Sequence, residues 1–398
     1  MTYFGEFRVN WRTMAAALVG MGTGYILYLY LQSLFAPHLL KEFGWSKAQF
    51  ALITSTTLIS LITLPIYGRL TDRYGAKRIG AIGIISYPLV FLAFAFFQGS
   101  FALFYLLNLA LMALVAGTTS SALYSRIIAN RFHRARGLAL SLIASVPPAI
   151  SAVLAPPLSA LIEAEGWRAG NLALAGLTAV TGTIVLLMMP GDVPATRADP
   201  AARTGGDFRT ILASPSFRII MTGIFLVCIS SLALPAQLKL ILIDREAGPE
   251  QAALMLSFFS GGIAVGRLIC GAALDRLPPH LVAAVALGLP SIGLFLLATG
   301  ATHYWLLAGS VGMIGLAMGA ELDIATYLVM RWFRPEIYSS VYGLIAAGTA
   351  LSGVGGSLLL SLTLKLSGGF DLYLYICAVA MAAGAASFLL LGRHPIVN

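Results

Sequence analysis

The sequence predicts an all-α membrane protein with twelve transmembrane helices in two pseudo-symmetric six-helix bundles. Three observations predict it. Of the 398 residues, 59% are hydrophobic and only 10% charged, whereas soluble domains carry about 25% charged residues. Apolar runs recur along the whole chain, each long enough, at about 1.5 Å per helical residue, to cross a bilayer core. A charged motif occurs twice, about two hundred residues apart, as a duplicated six-helix unit requires.

The runs fall at about residues 13–36, 49–68, 78–97, 101–125, 137–161, 168–190, 216–240, 251–271, 281–299, 303–329, 338–364 and 370–391. The first follows a short basic start with Arg8 and Arg12 and has no convincing small-residue cleavage site, so it reads as a retained helix. The longest polar stretch, GDVPATRADPAARTGGDF, begins at Gly191 and reads as a cytoplasmic linker. The expected division is therefore 1–190 as one bundle, 191–215 as linker and 216–398 as the second bundle. Other loops are short, which leaves no room for a soluble catalytic domain.

With both termini inside, seventeen Lys and Arg residues fall on the cytoplasmic side. Six fall outside: Lys41, Lys47, Arg168, Lys239, Arg245 and Lys365. The positive-inside rule favours that orientation. The net charge of +9 thus follows loop sidedness and does not point to nucleic acid. The Ala- and Arg-rich composition fits a bacterial inner membrane. Cys228, Cys270 and Cys377 lie in apolar runs and read as packing residues.

The motif GRLTDRYGAKR, from Gly68 to Arg78, sets dense charge between two apolar runs and reads as a short loop. Gly68 would let two backbones approach, Asp72 and Arg73 would cap or pair across helix ends, and Lys77 and Arg78 would hold the loop in the cytoplasm. GAALDRLPPH repeats Gly271, Asp275 and Arg276 at the same spacing, without the second glycine or the paired basic residues. The pattern resembles the loop signature of the major facilitator superfamily, with Gly68, Asp72, Arg73, Gly75, Lys77 and Arg78 filling its positions. FGWSKAQ (43–49), YSRIIANRFHRARGLALS (124–141), EGWRAGNLALAG (165–176) and GLAMGAELDIATYLVMRWF (315–333) resemble the bacterial monocarboxylate and oxalate/formate antiporter branch. The resemblance spans the chain. It implies alternating access by two rocking bundles, a gate at the charged loop and a central site for small organic anions.

A charge in the membrane core costs a few kcal/mol at least, so each one needs a reason. Arg267 precedes Asp275 by eight residues, which sets it about 12 Å inside its helix. A guanidinium there can grip a substrate carboxylate bidentately, and the branch resemblance implies that role; the other reading is a structural pair to a helix end or an acidic neighbour. Mammalian relatives of the branch carry an aspartate one turn before this arginine, where this chain has Ile263. Glu321 and Asp323 form a close acidic pair within a span. Two residues apart on a helix they point about 200° apart, so both cannot face one cavity. Either could carry a coupling proton, or form a fixed ion pair for which Arg126 is a natural partner. Arg126 also reads as a residue snorkelling to the cytoplasmic surface.

Polar faces surround these charges. Tyr25, Tyr28 and Gln32 recur at i, i+3 and i+7 on the first helix, and Ser230, Leu234 and Gln237 do so on the seventh. Tyr124 and Tyr342 complete a candidate lining suited to a partly apolar carboxylate. Pro147, Pro148, Pro156 and Pro157 should interrupt and bend the fifth helix. The five histidines show no metal spacing and the glycines no nucleotide loop, so neither an enzyme, a cofactor nor a metal is expected. The expected function is secondary transport of a small, monocarboxylate-like anion by a monomer, as a proton-coupled symporter. The alternatives are a proton-coupled exporter of cationic or apolar drugs and a receptor that transports nothing.

Overall fold

Where no water is available the backbone must bond to itself, so a long apolar run folds as a helix. The computed structural model describes residues 3–129, 131–191, 208–274, 276–334 and 337–392. Twelve stretches in it are long and apolar enough to cross a membrane. Spans 1 to 6 are Trp11–Leu34, Lys47–Thr71, Ala76–Ala95, Phe101–Ile128, Arg136–Glu165 and Trp167–Met188. Spans 7 to 12 are Pro215–Asp244, Pro249–Leu274, Pro279–Ala298, Tyr304–Trp332, Ser340–Ser367 and Asp371–Leu391. No strand occurs among the described residues. Large apolar side chains such as Phe96, Leu187 and Leu390 stand exposed, which lipid accommodates without cost. Most of the linker (192–207) lies outside the described residues, as does Asp275.

By contacts the chain forms two compact units, Met1–Trp45 with Thr56–Arg197, and Ser46–Ser55 with Ala198–Asn398. In the first, Met14, Ala17, Tyr124, Ile128, Ile143 and Val185 from spans 1, 4, 5 and 6 share one core. The second unit takes in the start of span 2. Ser46 and Gln49 close a capping box there, the Lys47 ammonium meets Asp244 at 2.6 Å, and the Thr54 and Ser357 hydroxyls share a hydrogen bond. The chain changes unit between Ser55 and Thr56, inside a 3-10 stretch, Ile53–Ile59.

The first span of each half is broken. Span 1 is helical over Trp11–Gly22 and resumes at Tyr25–Leu31. Span 7 is helical over Pro215–Val227, tightens to a 3-10 turn at Cys228–Ser230 and resumes at Ala233–Asp244. Matched discontinuities are the mark of an internal repeat. Span 5, in contrast, stays helical through all four prolines from Arg136 to Glu165. The missing donors sit in two adjacent pairs, and the turns on either side carry the helix on.

The charged motif is less of a loop than its composition suggests. Helix continues from Ser60 to Tyr74 and restarts at Ala76, leaving Gly75 as the one turning residue, at φ +93°. Only glycine adopts that backbone without strain. Gly68, expected to permit close backbone approach, has open space around it, with nothing within 4 Å of a Cβ placed there. It lies on an exposed helix face. Lys77 donates to the Met189 carbonyl at the end of span 6, at 3.3 Å, a cation capping a helix C-terminus.

Spans 8 and 10 approach each other through glycine. Gly262 and Gly266 of span 8 face Gly315 and Gly319 of span 10. A Cβ on Gly319 would fall 2.1 Å from the Ile263 carbonyl oxygen, one on Gly315 2.2 Å from that of Phe259, and one on Gly266 2.2 Å from that of Leu316. Two small-xxx-small repeats let the backbones touch.

Candidate functional site

The glycine seam positions the intramembrane charges. Because Gly319 has no side chain, span 8 lies against span 10, and the Arg267 guanidinium reaches across. Its Nε donates to the Gly319 carbonyl at 3.3 Å and lies 3.4 Å from the Asp323 carboxylate. Neither partner is sealed off, the side chains being 21% and 43% exposed. A guanidinium is a planar fork of N–H donors that matches a carboxylate bidentately. The group that stands opposite Arg267 therefore comes from span 10 and not from its own helix, where Ile263 occupies the preceding turn.

Glu321 points the other way, as its spacing from Asp323 requires. It is buried, and the Cys228 thiol approaches its Oε2 at 3.4 Å. Cys228 sits at the break in span 7, so the second carboxylate reports to a helix discontinuity while the first reports to the arginine. Sequence spacing separates the two carboxylates but gives no hint of the thiol.

Span 7 carries a further polar group. Lys239, expected on the outer side, stands inside the helix that continues to Asp244. Lys239 is fully buried, as is its neighbour Gln237, whose Oε1 accepts no hydrogen bond. The signal was available in ALPAQLKLILID, a lysine flanked on both sides by apolar residues. Tyr342 is half-buried near the start of span 11.

Most of the remaining candidates belong to the first unit. Tyr25 follows the break in span 1, its N–H donating to the Thr119 hydroxyl at 3.2 Å. Tyr28 stacks on Phe94 and meets Phe91 edge-on. Gln32 is buried, with its amide donating to the Leu29 carbonyl. Tyr124 is buried, and its hydroxyl lies where a Cβ on Gly20 would be, 2.3 Å from that position, with no hydrogen-bond partner. These four line or adjoin a core of aromatic and small residues. Arg126 lies on the last turn of span 4 and is partly exposed. Of the loop motif, Arg73 and Arg78 are exposed and the Asp72 side chain lies outside the described residues; in the copy, Arg276 is exposed. Among the described residues no cluster of His, Cys, Asp and Glu could hold a metal ion.

Two of the sequence motifs meet in the first unit. Phe43 of FGWSKAQ stacks on Trp45 of the same motif and meets Trp167 of EGWRAG edge-on. The Trp167 indole donates to Glu42 at 2.5 Å, and Arg168 pairs with the same carboxylate at 2.7 Å. The indole N–H first, and then the guanidinium, hold the Glu42 carboxyl below the usual carboxylate range.

Comparison with known proteins agrees with this architecture. The Major Facilitator Superfamily profile matches residues 12–243 and 220–397. Monocarboxylate transporter 11 of Homo sapiens is 29% identical over 362 residues, covering 87% of this chain and 72% of that one. The gallate transporter of Pseudomonas putida is 25% identical, covering 90% and 86%. The crystal structure of the nucleoside transporter NupG shares the fold with a TM-score of 0.77 over 96% of this chain and 99% of that one, at 14% identity.

Proposed function

The chain belongs to the major facilitator superfamily, a family of membrane transporters and not of enzymes, and from that membership we propose that it carries a small organic anion across the membrane by alternating access. The observation that carries the reading is Arg267 held against Asp323 between spans 8 and 10. A substrate carboxylate and Asp323 compete for one guanidinium. When Asp323 takes a proton it releases Arg267 to the anion, and when the anion leaves, Asp323 gives up the proton and takes the arginine back. Anion and proton then move together, which is symport. Buried Glu321 beside the break in span 7 is the second proton-carrying or gating group, with Arg126 at the end of span 4.

Tyr25, Tyr28, Gln32, Tyr124, Gln237 and Tyr342 supply the ring and hydroxyl lining, and the Gly68–Arg78 motif with Asp275 and Arg276 the gate. The bundles are 1–190 and 216–398, with 191–215 between them. The protein works as a monomer in a bacterial inner membrane, among lipids, with both termini cytoplasmic. Names of relatives support the anion: a monocarboxylate and gallate each present a carboxylate.

Thermal stabilisation of the purified protein by a panel of carboxylates and cationic drugs tests this, since a ligand that binds the folded state raises its apparent stability. A carboxylate should stabilise the wild type and fail to stabilise a folded Arg267→Gln variant. Asp323→Asn should keep the carboxylate response and lose its dependence on pH. Stabilisation by cations alone, unchanged in Arg267→Gln, would replace this reading with a drug exporter.

A further inference from the structure

The N-terminal helix Tyr3–Val9 lies before span 1 and is used as a clip. Its Glu6 carboxylate accepts three successive backbone N–H groups, those of His133 at 2.7 Å, Arg134 at 3.1 Å and Ala135 at 2.8 Å. These donors lie in the segment that leads into span 5, the last of them on its N-cap residue Ala135, where a negative charge is favoured by the helix dipole. The Asn10 amide donates to the Arg131 carbonyl at 3.2 Å, and Phe7 packs against Phe132 with ring centroids 5.2 Å apart. Three contacts of different kinds thus tie the short segment 131–135 to the helix that precedes span 1.

The clip gathers charge of one sign. Arg8 and Arg12 flank it on one side; Arg131, Arg134 and Arg136 flank it on the other, and all five are exposed. No acidic residue occurs between Phe101 and Ala160, and Glu6 is the one acidic residue before Glu42. Glu6 is already engaged by the backbone of the segment that it fastens. Beside the arginines, Val9 and Trp11 are 61% and 57% exposed, an apolar and an aromatic side chain at the position where span 1 enters the membrane. Tryptophan favours that depth. Sidedness alone accounts for basic residues near a span end, but not for a built anchor that holds two separate basic segments together.

We propose that Arg8, Arg12, Arg131, Arg134 and Arg136, fastened around the Glu6 clip, form a docking surface for the headgroups of anionic phospholipids. Charge complementarity and continuity with the start of span 1 choose the occupant. Guanidinium groups pair with phosphate oxygens bidentately, and basic clusters beside a span attract anionic lipid surfaces. The surface does not depend on what the protein carries.

The experiment uses the full chain in neutral detergent and follows its melting temperature as lipid is added. Phosphatidylglycerol should raise it by about 2 °C or more beyond phosphatidylcholine of the same acyl chains. Combined Arg131→Gln, Arg134→Gln and Arg136→Gln should abolish that difference, whereas Arg331→Gln, an exposed arginine of the other unit, should leave it intact. The wild-type response should also shrink as salt rises through the range where exposed charges are screened, a readout that survives if the triple variant does not fold. An equal response to both lipids, a salt-independent response, or a folded triple variant that behaves as wild type would overturn the proposal. Inorganic phosphate reproducing the full effect would overturn it too, because the surface would then be a free-phosphate site.

Discussion

Arg267 shows how a single residue can be legible in sequence while its chemistry is not. A guanidinium in an apolar run advertises itself, because burial of that charge has to be offset by something. Its partner does not, since Asp323 lies on another helix. Replacement by lysine keeps the charge and loses the planar fork. Arg267→Lys should therefore weaken carboxylate affinity by roughly 10- to 100-fold, the value of a hydrogen bond to a charged group at about 1.5–3 kcal/mol, measured by ligand titration of the purified protein. Lys239 is legible as a charge near the end of an apolar run, but its full burial depends on packing that the sequence does not show. The Cys228 to Glu321 contact had no sequence signal, because a thiol beside a carboxylate follows no spacing rule.

At the scale of elements, the seam between spans 8 and 10 decides where the charges meet. Gly319→Ala would place a methyl group 2.1 Å from a backbone oxygen, and neither backbone can yield cheaply. Overpacking of this kind costs about 1–3 kcal/mol. The variant should melt lower and also lose the carboxylate response, because the Gly319 carbonyl and Asp323 would no longer sit against Arg267. Gly68→Ala is the contrasting case. With open space around it and a helical backbone, alanine there should melt at the wild-type temperature or slightly above, since glycine in a helix costs about 0.5–1 kcal/mol relative to alanine. The repeats Gly262-x-x-x-Gly266 and Gly315-x-x-x-Gly319 were readable in the sequence as small-residue faces. Gly68 was misread because its charged neighbours suggested a loop, whereas arginine and threonine at a span end tolerate helix and still reach water. Span 5 remains helical because adjacent prolines cost donors without stopping the turns beyond them.

For the whole molecule, the number of spans followed from apolar run length, which the bilayer itself enforces. The division of span 2 was not legible: nothing in KAQFALITSTT marks where contacts pass from one unit to the other, since that depends on residues as distant as Asp244 and Ser357. Two carboxylates outside the spans set a common acid limit. Glu6 is held below the ordinary range first by the Ala135 and His133 backbone N–H groups, and Glu42 by the Trp167 indole. A carboxyl with a lowered folded pKa contributes stability above its unfolded value, near 4.3, and that contribution is lost as pH falls through the folded value. Melting temperature should hold steady from neutral pH to about 4.5 as far as these groups are concerned and then fall. In Glu6→Gln and Glu42→Gln the fall should be shallower and start from a lower neutral value.

The pairing of spans 8 and 10 also sets an order of events during synthesis. Asp323 follows Arg267 by 56 residues, and chains grow at about 5–20 residues per second. For several seconds span 8 exists without the carboxylate, the carbonyl and the glycine face that later receive its arginine. A nascent chain ending before Tyr304 should therefore hold span 8 at the membrane surface or shallowly inserted, and only emergence of span 10 should draw it to full depth. Insertion of this half of the protein is then a joint act of two helices, with the arginine as the reason the first must wait for the second.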